Sequence, residues 1–251
     1  MARAAVPRRL GDRLRWQPAT LAGWRDENPA ARTLVFDVSG WPGHLPGQHV
    51  DVRLTAEDGY TAQRSYSLAS APDTGRVELT VQRVADGEVS PYLVGDLAVG
   101  DQVELRGPVG GWFVWRPTQT EPVLLVAGGS GLVPLMAMIR TRRAVGGRVP
   151  FRLIHSVRTP GDRLYLPELS RGDPGLEVSW LFTRATPDGW RRPPRRVTAE
   201  DLPRDGRPPE SAPAVYVCGP TGFVEAAADL LVDLGHDPAR IRTERFGPTG
   251  G

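Results

Sequence analysis

The first half of the chain alternates hydrophobic and polar residues over short runs. Within residues 48–54, His49, Asp51 and Arg53 alternate with Val50, Val52 and Leu54. Runs 76–84 and 102–106 alternate in the same way, and run 32–38 is β-branched and hydrophobic. Clusters of Gly, Pro and Asp separate these runs and are typical of turns between strands. The pattern predicts an antiparallel β-sandwich or β-barrel over residues 17–116.

The second half has a different rhythm, because continuous hydrophobic runs alternate with helical patterns. Buried parallel strands are predicted over residues 122–127, 152–156, 177–182 and 214–218. Helices are predicted over 132–145 and 223–234, and the Pro- and Arg-rich segment 183–213 is predicted to be a long loop. Alternating strands and helices indicate an α/β domain with a parallel sheet over residues 117–251.

Composition excludes several classes of protein. The chain of 251 residues contains 31 basic residues, all of them arginine, and 29 acidic ones, for a net charge of +2. Its one cysteine, Cys218, cannot form an internal disulfide, hold an iron–sulfur cluster or build a Cys-rich zinc site. The four histidines are scattered, so we expect no metal site.

The basic N-terminal extension, residues 1–16, lacks the hydrophobic run of a signal peptide. The longest hydrophobic stretches elsewhere are too short to span a bilayer. We therefore expect a cytoplasmic protein without membrane contact, and a monomer.

A glycine-rich turn follows the first buried strand of the second half. It consists of Gly128, Gly129, Ser130 and Gly131, and Pro134 lies in the helix that comes next. Glycines allow a phosphate to approach the backbone closely, and a helix N-terminus offers free N–H groups. The same glycines also suit an ordinary tight connection between a strand and a helix.

A second group of residues lies in the predicted barrel: Arg64, Ser65, Tyr66 and Ser67. A guanidinium can clamp a diphosphate, an aromatic ring can stack on a planar cofactor, and a hydroxyl can hydrogen-bond a ring nitrogen. An ordinary strand with an exposed arginine would have the same sequence, so this group alone decides nothing.

A second possible anion cradle lies about twenty residues further on. Arg83 is followed by Gly87, Glu88, Val89 and Ser90, at the start of a short predicted helix. Here Ser90 is expected to be the N-cap residue, and the glycine allows a tight turn in front of it.

A last pair of motifs lies towards the C-terminus. Cys218, Gly219 and Pro220 end the fourth predicted strand, at the carboxyl edge where α/β sheets bind ligands. Glu244 and Phe246 follow, two residues apart.

In this order and spacing the motifs resemble the ferredoxin–NADP reductase superfamily of flavin- and pyridine-nucleotide-dependent oxidoreductases, over residues 17–249. The resemblance implies an FAD-binding barrel, residues 17–116, and an NAD(P)H-binding α/β domain, residues 117–251. FAD is implied rather than FMN by the Gly87–Ser90 segment.

The resemblance also implies roles for the residues of the barrel. Residues 64–67 would bind the flavin: Arg64 would hold its phosphates, Tyr66 would stack on the ring, and Ser67 would lie at N5, the hydride-accepting atom. Arg83 and the backbone of residues 87–90 would hold the remaining phosphates.

In the second domain, Gly128–Gly131 and Pro134 would line the pyrophosphate and nicotinamide pocket. Cys218, Gly219 and Pro220 would flank the nicotinamide. Glu244 and Phe246 match the glutamate and the flavin-covering aromatic residue of plant-type members, although this chain continues for five residues beyond the aromatic. The implied catalytic residues are Ser67, Cys218 and Glu244.

The nucleotide is NADPH or NADH. Thr183 and Arg184 follow the third strand and resemble the Ser–Arg pair of NADPH-specific relatives, and Arg191, Arg192, Arg195 and Arg196 follow. A solvated basic loop would have the same composition. The sequence leans towards NADPH.

The expected function is an NAD(P)H oxidoreductase that passes electrons from FAD to a separate one-electron acceptor such as a ferredoxin, because one thiol cannot hold a cluster. A flavin or ferric reductase without a protein acceptor is an alternative, as is a non-catalytic flavin- or nucleotide-binding sensor. Nucleic-acid binding is disfavoured, since the arginines are interleaved with acidic residues.

Overall fold

The computed structural model describes residues 15–72 and 75–247, and the predicted extension up to residue 14 lies outside this range. The first sheet has six antiparallel strands in the order β4-β3-β6-β1-β2-β5. They are β1 (Trp16–Asn28), β2 (Ala31–Asp37), β3 (His49–Thr55), β4 (Thr61–Ser67), β5 (Val77–Gln82) and β6 (Gln102–Val109).

The first sheet closes on itself as a barrel. Its two outer strands, β4 and β5, meet through a bridge between Leu68 and Leu79, and the Ala69 N–H donates to the Glu78 carbonyl at 2.8 Å. The side chains inside it form one buried cluster that includes Phe36 and Val50. The predicted antiparallel barrel is confirmed.

The second sheet is parallel, with five strands in the order β11-β10-β7-β8-β9. They are β7 (Val123–Gly128), β8 (Phe151–Val157), β9 (Leu176–Phe182), β10 (Ala214–Pro220) and β11 (Ile241–Phe246). All six residues of the central strand β7 are buried, as its continuous hydrophobic run predicts. The predicted α/β domain is therefore confirmed.

The helices are α1 (Ser90–Gly95), α2 (Leu132–Ala144), α3 (Leu166–Leu169), α4 (Asp201–Asp205) and α5 (Thr221–Asp233). Helix α5 stops where Gly235 adopts a φ of 91°, which favours glycine. Among the described residues, no helix combines the length and the hydrophobicity needed to span a bilayer.

Three strands were not predicted from the sequence, namely β1, β4 and β11. Strand β1 is the longest of the barrel and begins at Trp16, the last residue of the predicted extension. Strand β11 pairs with β10 at the edge of the parallel sheet and carries Glu244 and Phe246. Both motif residues are thereby placed on a strand at the carboxyl edge, where the ends of β7 and β10 also lie.

Candidate functional site

The carboxyl edge of the parallel sheet forms one wall of a cavity of about 220 Å³ between the two domains. Asn28 and Gln82, at the ends of β1 and β5, contribute the barrel side of the lining. Six residues predicted from the sequence also line it: Gly128, Gly129, Ser130, Thr183, Pro220 and Phe246. The structure thus brings together four motifs that lie far apart in the chain.

Close packing explains the glycines at this edge. A Cβ on Gly131 would lie 2.1 Å from the Cys218 carbonyl oxygen, and one on Gly128 would lie 2.6 Å from the Phe223 ring. A Cβ on Gly219 would lie 3.1 Å from Gly128 Cα. These residues let the turn after β7 pack directly on β10, so the backbone reaches the cavity, as a bound diphosphate requires.

Three predicted residues stand behind this wall. Gly131 and Pro134 are buried at the start of α2, and Cys218 is 1% exposed. Their contribution to the cavity is therefore to its shape, through the position of the residues in front of them.

The three residues predicted to be catalytic converge on one place. Cys218 pairs with Glu244 across β10 and β11. The Glu244 carboxylate approaches the His49 imidazole, with Oε1 3.6 Å from Nδ1. His49 in turn pairs with Ser67 across β3 and β4. The contact between His49 and Glu244 joins the barrel to the α/β domain.

Burial governs the protonation of these groups. It raises the pKa of Glu244 to about 7, and Glu244 Oε2 is buried without a hydrogen-bond partner among the described residues. Burial lowers the pKa of His49 and raises the pKa of the Cys218 thiol well above its ordinary value. All three shifts favour the uncharged form of the side chain.

On the barrel, Arg64 and Glu88 come together as the two motifs predict. The Arg64 guanidinium donates to Glu88 Oε2 at 3.2 Å, and the Tyr60 hydroxyl donates to Glu88 Oε1 at 2.6 Å. An exposed guanidinium beside the turn that opens α1 is a donor set that suits a diphosphate. A bound phosphate would replace the Glu88 carboxylate as the partner of Arg64.

The rest of this strand differs in exposure from residue to residue. Ser65 is exposed, and its hydroxyl donates to Asp51 at 2.6 Å. Tyr66 is half-buried against the core of the barrel, and burial raises its pKa to about 12. The phenol therefore stays protonated, and its ring has a fixed position on the surface of the barrel.

One prediction about the cradle was wrong. Ser90 is not the N-cap of α1: the helix begins at Ser90 itself, after Val89, with no side-chain cap. The Ser90 hydroxyl instead accepts a hydrogen bond from the Val84 N–H at 3.0 Å, which braces the turn at Gly87. Arg83 is exposed, and its backbone N–H donates to the Ala30 carbonyl.

At the far end of the cavity, Thr183 lies in the lining and Arg184 is exposed. The Arg184 N–H donates to the Arg158 carbonyl at 2.9 Å, and Arg158 also lines the cavity. Arg158 was not predicted as a site residue, although it directly follows β8 and therefore lies at the carboxyl edge of the sheet.

The arginines further along the loop are mainly structural. Arg192 forms an ion pair with Asp205, and Arg195 forms one with the buried Asp201 at 3.1 Å. The basic composition of this segment therefore reflects, at these two positions, contacts that hold the loop on α4.

The raised pKa of Glu244 predicts a pH dependence of stability. The folded chain binds a proton here up to a pH of about 7, whereas an ordinary glutamate releases it near pH 4.3. Stability therefore falls as pH rises through this window, by up to about 3 kcal/mol. Urea unfolding from pH 4 to 8 should show this decline in the wild type and a flatter profile in Glu244→Gln. The same pH dependence of the unfolding free energy in both proteins would contradict the prediction.

A second prediction concerns the glycine packing. Gly131→Ala should displace the turn from β10, because the new Cβ would overlap the Cys218 carbonyl, and should weaken nucleotide binding by about tenfold or more. Gly222→Ala is the matched control, since a Cβ there meets nothing within 4 Å. Isothermal titration with NADP⁺ and with NAD⁺ gives the affinity of each variant. A Gly131→Ala variant that binds both nucleotides as tightly as the wild type would contradict the prediction.

Two family models match the chain. Residues 26–114 match the oxidoreductase FAD-binding domain, and residues 125–229 match the oxidoreductase NAD-binding domain. The two matches fall on the barrel and on the α/β domain respectively.

Curated relatives carry related names. A Ralstonia ferredoxin–NAD(P)(+) reductase component of naphthalene 1,2-dioxygenase/salicylate 5-hydroxylase systems is 34% identical over 209 residues, covering 82% of this chain and 61% of that protein. A Deinococcus radiodurans flavohemoprotein is 29% identical over 248 residues, covering 90% and 61%. The chain therefore spans about three fifths of the length of these relatives.

Solved structures share the fold. An Amycolatopsis cytochrome P450 reductase superposes with a TM-score of 0.81 at 28% identity, over 94% of this chain and 71% of that one. A Neisseria gonorrhoeae ferredoxin NADP⁺ reductase with bound FAD and NADP gives 0.77 at 19% identity, over 92% and 98%. The chain belongs to the ferredoxin–NADP reductase superfamily, with an oxidoreductase FAD-binding domain followed by an oxidoreductase NAD-binding domain.

Proposed function

We propose that this chain takes reducing equivalents from NAD(P)H onto FAD and delivers them singly to a separate one-electron carrier, such as a ferredoxin. The observation that carries the proposal is the cavity between the domains, where the turn after β7, the end of β10 and Phe246 meet. Relatives named as reductase or electron transfer components of dioxygenase systems support this choice of acceptor.

Bound FAD supplies the chemistry that links a two-electron donor to a one-electron acceptor. The residues of this chain supply binding and alignment. We assign Arg64 and the turn at residues 87–90 to the diphosphate, with Arg83 at their margin, and the half-buried ring of Tyr66 to stacking. Ser65 and Ser67 place hydroxyl groups along the same strand.

The α/β domain holds the nucleotide. We assign Gly128–Gly131 and the N-terminus of α2 to the pyrophosphate, because backbone N–H groups and the helix dipole favour an anion there. Pro220 would contact the nicotinamide, and Cys218 and Gly219 would support it on the same strand end. Phe246, 39% exposed at the rim, covers the cavity and limits the access of water.

Glu244 and His49 are placed to take up and release protons at the junction of the two domains. Near neutral pH the Glu244 carboxyl exchanges a proton readily, because its pKa is raised to about 7. The neutral His49 imidazole stands 3.6 Å away, on the strand that pairs with β4 at Ser67. These three groups offer a way for a proton to reach or leave the junction of the two domains.

We propose that the electrons pass to a group outside this chain, because its single cysteine is buried and cannot ligate an iron–sulfur cluster. We propose that the chain acts as a monomer, with domain boundaries at residues 17–116 and 117–251.

The central test is spectroscopic. Purified protein reconstituted with FAD should lose its visible flavin absorption on anaerobic addition of NADPH or NADH, and should then reduce a ferredoxin. Failure to bind FAD, or to bleach with either nucleotide, would refute the proposal. Bleaching without transfer to any one-electron protein, together with loss of the flavin on desalting, would favour a flavin or ferric reductase. Bound flavin that no nucleotide reduces would favour a sensor.

We further propose a preference for NADPH, carried by Arg184 and Arg158. Both follow parallel strands at the cavity edge, and a 2′-phosphate needs cationic side chains there. Arg184→Ala should lower kcat/KM for NADPH by about tenfold or more and leave that for NADH nearly unchanged. Arg204→Ala, an exposed arginine on α4, is the matched control. An unchanged ratio of the two specificity constants in Arg184→Ala would remove this assignment.

A further inference from the structure

We propose that His155 is a positioning residue for the nucleotide-binding turn: its imidazole holds the Gly129 carbonyl inward, so that the backbone N–H of Ser130 faces the cavity. The inference rests on the proposed function, because it takes this turn to be the nucleotide site. Neither the motifs nor the family matches single out His155.

The position of His155 in the sheet makes the contact possible. It lies on β8, where it pairs with Ala127 of β7 and Trp180 of β9. Its side chain is fully buried, and its Nε2 lies 3.0 Å from the Gly129 carbonyl oxygen. The imidazole therefore reaches the turn from inside the protein, on the side away from solvent.

The contact fixes the tautomer of the ring. Burial lowers the pKa of His155 to about 4, so the imidazole is neutral at physiological pH and carries one N–H. A carbonyl oxygen only accepts hydrogen bonds, so that hydrogen must be on Nε2. Nδ1 is buried and has no partner in the described part of the chain. The bond to Gly129 is thus the polar contact through which this ring acts.

The consequence for the turn follows from peptide geometry. The carbonyl of residue 129 and the N–H of residue 130 belong to one planar trans peptide and point in opposite directions. A carbonyl held towards His155 directs the Ser130 N–H towards the opposite side. Ser130 lines the cavity, so this N–H is available to an anion bound there.

The turn needs such an anchor because glycine does not hold it in place. Gly129 has a φ of 55°, and a Cβ there would meet nothing within 4 Å. Its carbonyl also accepts a hydrogen bond from the Leu132 N–H, which the His155 contact supplements from the opposite element, β8. Without His155, several orientations of this peptide become accessible, and fewer present an N–H to the ligand.

The decisive comparison uses two side chains of equal length, His155→Gln and His155→Met. Only glutamine can donate a hydrogen bond to the Gly129 carbonyl. Isothermal titration of the FAD-loaded protein with NADP⁺ should show about a tenfold weaker Kd for His155→Met and recovery to within about threefold for His155→Gln. The KM for NADPH should follow Kd, while the flavin absorption spectrum and the transfer of electrons from dithionite-reduced protein stay unchanged.

Ile154→Val is the control for loss of packing, because Ile154 is buried on the same strand but belongs to the cluster on the other face of the sheet. It should bind NADP⁺ as the wild type does. Equal Kd values for His155→Met and the wild type would overturn the inference, and so would equal losses in both His155 variants. A wild type that binds neither NADP⁺ nor NAD⁺ would instead refute the proposed function.

A second measurement does not depend on the folding of a variant. The ¹⁵N chemical shifts of His155 in the wild type should report the Nε2–H tautomer, unchanged down to a pH of about 5, since its pKa is about 4. An Nδ1–H tautomer would overturn the inference.

Discussion

One partly buried arginine makes hydrogen bonds to both domains at their interface. Arg140, on α2, is 14% exposed, and its guanidinium donates to the Ala69 carbonyl and to Glu78 of the barrel, both at 2.9 Å, and to Glu168 of its own domain at 2.7 Å. A buried cation is stable only where each of its N–H groups finds an acceptor, and these acceptors come from both domains. Separating the barrel from the sheet would therefore leave this guanidinium with Glu168 alone, without the Ala69 carbonyl and Glu78.

Tyr165 makes further hydrogen bonds between the two domains. Its backbone has a φ of 53°, unusual for a residue with a side chain, and its N–H donates to Glu27 Oε2 at 3.0 Å. Its hydroxyl shares a hydrogen bond with that of Thr80 on β5. These contacts tie β1 and β5 to the segment after β8, and so bring Asn28 and Gln82 to the cavity edge.

Local chemistry was largely predictable from the sequence, whereas contacts across the chain were not. The turn after β7 could be predicted from its glycines and from the hydrophobic run before it. Strand β11 is not recognisable in this way, because it lies at an edge of the sheet and its four central residues are all polar or charged. Strand β1 is interrupted by register shifts after Leu21 and after Asp26, which break the two-residue period on which such a prediction relies.

The roles of side chains whose partners lie far along the chain could not be predicted from the sequence either. His49 looked like one polar position of an alternating strand, and its importance comes from Glu244, which only the domain interface brings near. His155 looked like one residue of a buried strand, and Arg158 like one more arginine in an arginine-rich chain. In each case the informative feature is a distance between elements, and no residue pattern within one element records it.

Charged and uncharged side chains occupy different parts of the site, and Cys218 lies in the uncharged part. The carbonyl of Cys218 is in contact with the turn at Gly131, so β10 and the turn behave as one wall. The thiol is small, and burial raises its pKa, so that it stays protonated. His49 is uncharged for the same reason of burial. The cationic groups stand further out, at Arg64 and at Arg158, where phosphates of the two cofactors are expected. Fixed charge thus lies at the ends of the site and uncharged groups at its centre, an arrangement in which the phosphates are bound without an unpaired charge beside the reacting rings.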